Sequence, residues 1–136
     1  MHTLDSPDLV APLGHYSYTT VHNGTVHVSG LLPLDAQGRP LAAEGFAAQA
    51  RQVLHNLDRC LDAAGTTRQR LVSVTAYVTD LDQWGAFDAE YAAWIGDHRP
   101  ARAVVGVARL HYDCQLEIQA VASAFTEEEA ARDNTS

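Results

Sequence analysis

The chain has 136 residues, of which 46% are hydrophobic, and its formal net charge at neutral pH is −8. This length suits one domain with a sizeable core, and this hydrophobic content excludes a chain that stays unfolded for want of apolar side chains. The acidic balance argues against a nucleic-acid partner, because a protein that binds the phosphate backbone needs a basic face.

All nine basic residues are arginine. The absence of lysine from the sequence excludes lysine Schiff-base chemistry, including lysine-anchored pyridoxal phosphate. The two cysteines, Cys60 and Cys114, have neither metal-ligand spacing nor a disulfide framework, so we expect two buried apolar thiols. The sequence contains no apolar run of membrane-spanning length, and its N-terminal residues lack a signal-peptide pattern, so we expect a soluble cytoplasmic protein with no membrane partner.

The first elements predicted along the chain are an irregular lead-in and a β-hairpin. Residues 1–13 contain two prolines and predict the lead-in. The segment 16–21 is rich in Tyr and Thr, which favour strands, and Asn23-Gly24 is the strongest short hairpin signal. The residues that follow alternate, with Val26 and Val28 on one face. We therefore predict two antiparallel strands around this turn.

A change of hydrophobic period marks the first helix. Residues 30–44 read as a loop, and residues 45–64 then follow helical spacing, with Gly65 as the expected C-terminal stop. Residues 71–78 return to alternation and predict a strand whose apolar face carries Val72, Val74, Ala76 and Val78.

The second half of the chain predicts one more helix and two strands. The helix runs from about Trp84 to Gly96 and is capped by Asp80 or Asp82. Its aromatic residues Trp84, Tyr91 and Trp94 favour core or interface packing. Residues 101–107 and 115–125 predict strands, and residues 126–136 a flexible tail. The order ββαβαββ predicts an α+β domain over residues 1–125, a mixed sheet with two helices on one face.

One face of the predicted sheet has no cover within the chain. The last strand alternates Leu116, Ile118 and Ala120 with Glu117, Gln119 and Val121, so its second face is not wholly polar. We therefore expect a homo-oligomer in which sheets from several copies meet.

Two segments carry a family resemblance. Residues 100–110, PARAVVGVARL, followed after five residues by Leu116-Glu117-Ile118, resemble the C-terminal signature of the RidA/YjgF family. Residues 14–17, GHYS, with Val28-Ser29-Gly30 resemble its N-terminal hairpin, and the first predicted helix resembles the family's first helix. The similarity covers roughly residues 12–125 in matching element order.

The resemblance implies both a fold and an activity. The fold is chorismate-mutase-like, in a homotrimer whose sheets form a central barrel with active sites at the three interfaces. Members hydrolyse reactive 2-enamino or 2-imino acids, such as 2-aminoacrylate, to a 2-keto acid and ammonia. No metal and no organic cofactor is implied, and the expected partners are a small imino or enamino acid and further copies of the chain.

Arg102 matches the family's carboxylate-binding arginine. A guanidinium holds a carboxylate through two parallel hydrogen bonds and keeps its charge at working pH. Fixing the carboxylate would position the neighbouring imine carbon for attack by water. The structural alternative is an arginine in an ion pair, and an Arg102 side chain locked in an internal ion pair, or pointing into solvent away from any cleft, would overturn the deaminase hypothesis.

Glu117 matches the family's acidic residue on the last strand, where it would orient water or carry a proton to the leaving amine. Partial burial would raise its pKa toward a useful range. The structural alternative is a carboxylate paired with an arginine across a subunit boundary. Catalysis is thus predicted for Arg102 and Glu117.

Six further positions match the family's substrate-binding pocket: Tyr16, Ser29, Gly30, Leu31, Asp88 and Val104. Asp88 stands where many members carry Asn, and its charge would oppose a carboxylate substrate unless it is protonated or paired. Leu31, Val104 and Gln119 also depart from the frequent Gln, Cys and Glu, and His15 and His111 replace prolines. These departures put the identity of the substrate in doubt more than the type of reaction.

Three alternatives to an amino-acid imine deaminase stay open. The trimer could bind small carboxylates without catalysis, or it could process a different imine in a specialised biosynthetic pathway. The ribonuclease or translation-inhibitor label given to some relatives is disfavoured by the net charge of −8. The seven histidines do not indicate a metal site, since His22 and His27 flank one turn without a third ligand.

Overall fold

The computed structural model describes residues 1–126 and Glu129. Six strands and two α-helices follow one another as β1 (His2–Leu4), β2 (Thr19–His22), β3 (Thr25–Leu31), α1 (Phe46–Ala63), β4 (Leu71–Val78), α2 (Trp84–Ile95), β5 (Ala101–Gly106) and β6 (Leu116–Ser123). Short 3-10 segments lie at Arg68–Arg70, Leu81–Gln83 and His111–Asp113. Within these residues, no helix has the length and apolar character needed to cross a bilayer.

The six strands form one mixed sheet in the order β1-β2-β3-β6-β4-β5. β4 and β5 run parallel, and the other neighbouring strands are antiparallel. α1 packs on β3 and β6, and α2 packs on α1, so the helices cover one face around a single hydrophobic core. The predicted α+β class and mixed sheet are therefore confirmed, whereas the trimeric barrel stays a prediction.

The β-hairpin lies where the sequence predicts it. Asn23 has a φ of 50° and Gly24 a φ of 76°, and a type I′ turn requires positive φ at both central positions. His22 pairs with Thr25 on either side of the turn. The first strand is shorter than predicted, because the backbone enters the ladder only at Thr19.

The lead-in is not wholly irregular, which corrects the prediction. Residues His2–Leu4 form β1, which pairs with the outer edge of β2. The Asp5 carboxylate accepts a hydrogen bond of 2.8 Å from the Tyr18 backbone N–H and so ties the segment down. A segment of three residues is too short to show the alternation typical of a strand. Its strand conformation therefore depends on pairing with β2 rather than on its own sequence. The predicted flexible tail, 126–136, lies outside the described residues apart from Thr126 and Glu129.

The predicted apolar face of β4 holds for Val74, Ala76 and Val78 but is wrong for Val72, which is 54% exposed. The pairing of β4 with β6 shifts register between Leu71 and Ser73. Such a β-bulge inserts one residue and interrupts the alternation of faces. Leu71 therefore enters the core in place of Val72.

Both helices follow their predicted ranges within a residue. α1 ends in a Schellman motif, in which Gly65 has a φ of 72° and Thr66 N–H donates to the Leu61 carbonyl. On α2, Phe87, Tyr91 and Ile95 are buried, whereas Trp84 is half exposed. Asp80 caps the preceding 3-10 turn through the Asp82 N–H rather than capping α2 itself.

Candidate active site

The two predicted catalytic residues lie on opposite faces of the sheet. Arg102 pairs in register with Val74, whose side chain is buried beneath the helices. Glu117 pairs with Tyr77 and points to the face that the helices leave uncovered. Within one copy of the chain, the structure therefore forms two separate groups of predicted site residues, one around Glu117 and one around Arg102.

The first group lines a cavity of about 460 Å³, here named the Glu117 cavity. It brings together four predicted residues, Tyr16, Ser29, Gly30 and Glu117. The loop residues His111 and Tyr112 complete the wall, and both also line an adjoining cavity of about 630 Å³ that shares Glu117. The fold thus brings residues from both ends of the matched region, from Tyr16 to Glu117, into one space.

Gly30 is held against the Glu117 carboxylate. A Cβ atom at position 30 would lie 2.8 Å from Glu117 Oε2 and 3.1 Å from its carboxyl carbon. Contacts below 3.0 Å do not occur for real Cβ atoms, so the absence of a side chain leaves the space that the carboxylate occupies. A register shift between β3 and β6 around these residues accompanies this close approach.

Burial raises the pKa of Glu117, and the electrostatic effect of the nearby His111 only partly opposes that shift. The cause is desolvation, which penalises the charged form of a carboxyl group. A raised pKa brings a carboxyl group closer to neutrality at working pH, which suits a group that both accepts and returns a proton.

Ser29 and Tyr16 differ in what they offer a ligand. The Ser29 hydroxyl donates to the Ser17 carbonyl at 2.7 Å, so its proton is already used in joining two segments. Its oxygen retains acceptor capacity. Tyr16 is 49% exposed, and its ring meets the Tyr18 ring edge-on with centroids 6.3 Å apart. Tyr16 therefore forms a wall of the cavity with its hydroxyl available.

The loop before β6 contributes Tyr112, which the sequence analysis did not select, and His111, which it noted only as a replaced proline. Tyr112 and Asp113 both have φ values of 59°, in the left-handed region that ordinary residues rarely adopt. Tyr112 is 52% exposed and, with His111, lines the Glu117 cavity. The signal available in the sequence was the pair His111-Tyr112, a few residues before Glu117. An irregular loop has no hydrophobic periodicity, so the sequence pattern could not show that these side chains face the cavity.

The second group surrounds the Arg102 guanidinium with aromatic rings. Its central carbon lies 4.9 Å from the Tyr91 ring centroid and 5.6 Å from those of Trp84 and Phe87. Such distances allow attraction between the cation and the ring faces, which favours this position of the side chain. The aromatic stripe of α2, predicted as packing, therefore also positions the arginine.

Arg102 is not a free cation within the chain. Its Nη1 atom lies 2.9 Å from Asp88 Oδ1, and the side chains of Arg102 and Asp88 are 18% and 44% exposed. Asp88 is the one carboxylate within ion-pair distance of Arg102 in the described part of the chain. The charge of Asp88 was expected to oppose a carboxylate substrate unless it is protonated or paired, and the structure shows it paired, with the predicted anchor itself as its partner. This internal ion pair counts against Arg102 as a fully free anchor.

The ion pair borders a cavity of about 320 Å³, here named the Arg102 cavity. Asp88, Tyr91, Arg99 and Arg102 are among its lining residues. Because a guanidinium has five N–H donors and Asp88 contacts one nitrogen, donors are left for a ligand. The pair therefore reduces the net charge offered to a carboxylate without occupying every donor.

Two other predicted binding residues contribute less directly. Leu31 is 2% exposed and belongs to the hydrophobic core beneath the helices, so it does not line the Glu117 cavity. Val104 is half-buried against the same core, on the same face as Arg102. Among residues 1–126 and Glu129, no three His, Cys, Asp or Glu side chains are grouped to hold a metal ion.

Comparison with known proteins identifies the family. The family described as Endoribonuclease L-PSP matches residues 7–124. The 2-iminobutanoate/2-iminopropanoate deaminase of Salmonella typhimurium is 35% identical, with 88% of this chain and 95% of the relative aligned. A RutC family protein of Pyrococcus horikoshii is 32% identical, over 82% of this chain and 88% of the relative.

Solved structures give the same result. The YjgF gene product of E. coli superimposes with a TM-score of 0.84 at 32% identity, covering 90% of this chain and 98% of that one. RidA from an Antarctic Psychrobacter species gives a TM-score of 0.85 at 31% identity, covering 90% and 99%. The chain belongs to the RidA/YjgF family, whose sequence profile is described as Endoribonuclease L-PSP.

Proposed function

We propose that this protein hydrolyses 2-imino and 2-enamino acids to 2-keto acids and ammonia. The observation that carries the proposal is Glu117, a half-buried carboxyl group with a raised pKa that lies in a cavity with Tyr16 and Ser29. Relatives named 2-iminobutanoate/2-iminopropanoate deaminase support it, among them the Salmonella enzyme and one from Rattus norvegicus at 33% identity.

The chemistry assigned to Glu117 is proton transfer during addition of water. The carboxylate takes a proton from the attacking water while the water oxygen bonds to the imine carbon, and the imine nitrogen takes a proton from solvent water. Glu117 then returns its proton to the nitrogen as the carbon–nitrogen bond breaks, and the hydroxyl group gives its proton back to solvent as the carbonyl forms, so that ammonia and the keto acid are released. An enamine first gains a proton on its β-carbon and loses one from its nitrogen, and so becomes the imine. The sum is imine plus water giving ketone plus ammonia.

The proposal includes a homotrimer with sites between copies. Arg102 and Glu117 lie on opposite sheet faces within one copy, so they can act on one ligand only if they come from neighbouring copies. The uncovered sheet face carries Val105, which is 38% exposed, together with Ala101 and Ala103 on β5 and Val121 on β6. Apolar side chains on an open sheet face favour burial against another copy.

In this proposal, the guanidinium N–H groups of Arg102 that do not contact Asp88 bind the substrate carboxylate. A bound carboxylate would thus share the guanidinium with Asp88 rather than meet an isolated cation. This is a weaker anchor than a free arginine, because the negative charge of Asp88 opposes the incoming anion.

The test generates 2-aminoacrylate or 2-iminobutanoate enzymatically and follows keto acid release. Wild type should accelerate release over buffer, and Glu117→Gln should lose at least about a hundredfold, the lower end of the usual contribution of a positioned acid–base group. Glu44→Gln is the matched control, since Glu44 is exposed in the loop before α1. Equal release by wild type and Glu117→Gln would contradict the proposal.

The ion pair between Asp88 and Arg102 favours one second candidate, an enzyme that processes an imine without a free carboxylate. A paired arginine attracts an anion less strongly than a free arginine does. The site would therefore suit a neutral cyclic or aromatic imine. Turnover of such imines with no turnover of aminoacrylate would select this candidate. Binding of small carboxylates without any turnover would instead indicate a non-catalytic binding protein.

A further inference from the structure

Asp88 and Arg102 together present a cation and an anion to the same cavity. The two charged atoms are 2.9 Å apart, and the aromatic rings of Trp84, Phe87 and Tyr91 hold the guanidinium beside α2. Asp88 keeps 44% of its side chain exposed and lines the Arg102 cavity, so its carboxylate faces space that a ligand can enter. A ligand that satisfies both partners must itself carry an acceptor for Arg102 and a donor for Asp88.

We propose that Asp88 is a specificity-determining residue that favours the imino acid substrate over the keto acid product. This inference rests on the proposed function and assigns a chemical class to its ligand: a carboxylate with an N–H donor on the adjacent carbon. The nitrogen of such an acid is two bonds from the carboxylate carbon. It can therefore reach an acceptor that stands beside the same guanidinium as the carboxylate.

The substrate and the product differ in hydrogen-bonding capacity at that position. An imine or iminium nitrogen carries at least one N–H, which the Asp88 carboxylate can accept. The keto acid has a carbonyl oxygen there, with lone pairs and no proton. Because an ionised carboxylate is an acceptor only, Asp88 repels that oxygen and leaves a desolvated acceptor without a partner. Product release is thereby favoured, because a hydrogen bond from the substrate N–H offsets the repulsion between Asp88 and the ligand carboxylate, whereas the keto acid gains no such bond.

An amide at position 88 would behave differently. Asparagine has nearly the same shape but both accepts and donates, so it accommodates either the nitrogen or the carbonyl oxygen. It also removes the charge that competes with the ligand carboxylate for Arg102. Asp88→Asn should therefore bind the keto acid more tightly and lose the preference for the nitrogen-bearing ligand.

The experiment measures binding of two matched stable probes by calorimetry, 2-oxobutanoate and 2-aminobutanoate. The first carries a carbonyl oxygen and the second an ammonium group next to the same carboxylate. Wild type should prefer 2-aminobutanoate by about tenfold or more, the effect of one charge-assisted hydrogen bond. Asp88→Asn should bind 2-oxobutanoate at least several-fold more tightly than wild type and show little preference. Asp82→Asn, the same charge change at an exposed position before α2, should match wild type.

The outcomes separate this inference from the proposed function. An unchanged preference in Asp88→Asn, or equal tightening of both probes, would overturn the role of Asp88 as a discriminating residue. The deaminase proposal would survive that result if Glu117→Gln still abolished imine hydrolysis. If Arg102→Gln bound both probes as wild type does, the assignment of this cavity to the ligand carboxylate would be wrong, and the inference would fall with it.

Discussion

Gly30 on β3 faces Glu117 on β6 so closely that a side chain at position 30 would enter the space of the Glu117 carboxylate. The distance from a Cβ atom there to Oε2 would be 2.8 Å. The lack of a side chain at position 30 therefore allows the orientation that the Glu117 carboxylate, the proposed acid–base group, adopts. Gly30 thus acts as a positioning residue, since it determines where Glu117 can lie.

Gly30→Ala should lower imine hydrolysis by at least about tenfold while the protein stays folded, because the carboxylate end of Glu117 can turn aside. The measurement is kcat/KM together with the circular dichroism spectrum. The matched control is Gly85→Ala in α2, where a Cβ meets nothing within 4 Å. That control should be neutral or should stabilise the fold by up to about 1 kcal/mol. Full activity in Gly30→Ala would contradict the positioning role.

Glu117 should make the protein less stable as the pH rises. Its pKa is raised in the folded state, so the folded state binds its proton more tightly than the unfolded state does. The stability that Glu117 contributes is complete below the ordinary glutamate pKa of about 4.3 and is lost as the pH rises through the higher folded pKa.

Glu117→Gln should therefore have a higher melting temperature than wild type at pH 7, with the difference shrinking toward pH 4. Differential scanning calorimetry across this range provides the check. A variant that is less stable than wild type at pH 7 would show that the ionised carboxylate has a stabilising partner in the assembled protein.

Asp58 joins three parts of the helical layer and should contribute measurably to stability. Its carboxylate accepts a hydrogen bond of 2.9 Å from Trp94 Nε1 and two from the Arg68 guanidinium, which also lies 4.7 Å from the centroid of the Trp94 ring. The Asp58 side chain is only 16% exposed. Loss of its charge weakens hydrogen bonds that solvent screens only partly.

Asp58→Asn should lower the free energy of unfolding by about 1–3 kcal/mol in urea denaturation. Asp62→Asn is the matched control on the same helix, since Asp62 is 58% exposed and pairs with Arg59 at the surface. Exposed pairs contribute about 0–1 kcal/mol, so this control should change little. Equal effects of the two substitutions would contradict a special role for the Asp58 network.

A charge on the uncovered face of the sheet should separate the proposed trimer. Val105→Asp places a carboxylate on β5, where the valine is 38% exposed within one copy. The substitution costs little in a lone copy but would bury an unpaired charge between copies. Size-exclusion chromatography with light scattering should then show a shift from trimer to monomer. Ala36→Asp, in the exposed loop after β3, should keep the wild-type mass. An unchanged mass for Val105→Asp would contradict a trimer formed through this face.

Local pattern in the sequence was enough to predict most elements of the fold. The turn at Asn23-Gly24, the helical spacing before Gly65 and the alternation of residues 71–78 each arise from interactions between near neighbours. Such interactions are the same wherever the segment lies in the fold, so they predict secondary structure without knowledge of the tertiary contacts. The resemblance around Arg102 and Glu117 likewise selected residues that line cavities of the folded chain.

Tertiary structure decided what depends on distant partners. β1 exists because β2 presents an edge to it, and Val72 turns outward because β4 and β6 pair with a bulge. The ion pair of Arg102 with Asp88 joins β5 to α2, fourteen positions apart, and no periodic signal connects those residues. The close approach of Gly30 to Glu117 likewise requires two strands that are distant in sequence to become neighbours. The residues of the candidate site could therefore be chosen from the sequence. Their ion-pair partners and their packing are determined only by the way the sheet and the helices assemble.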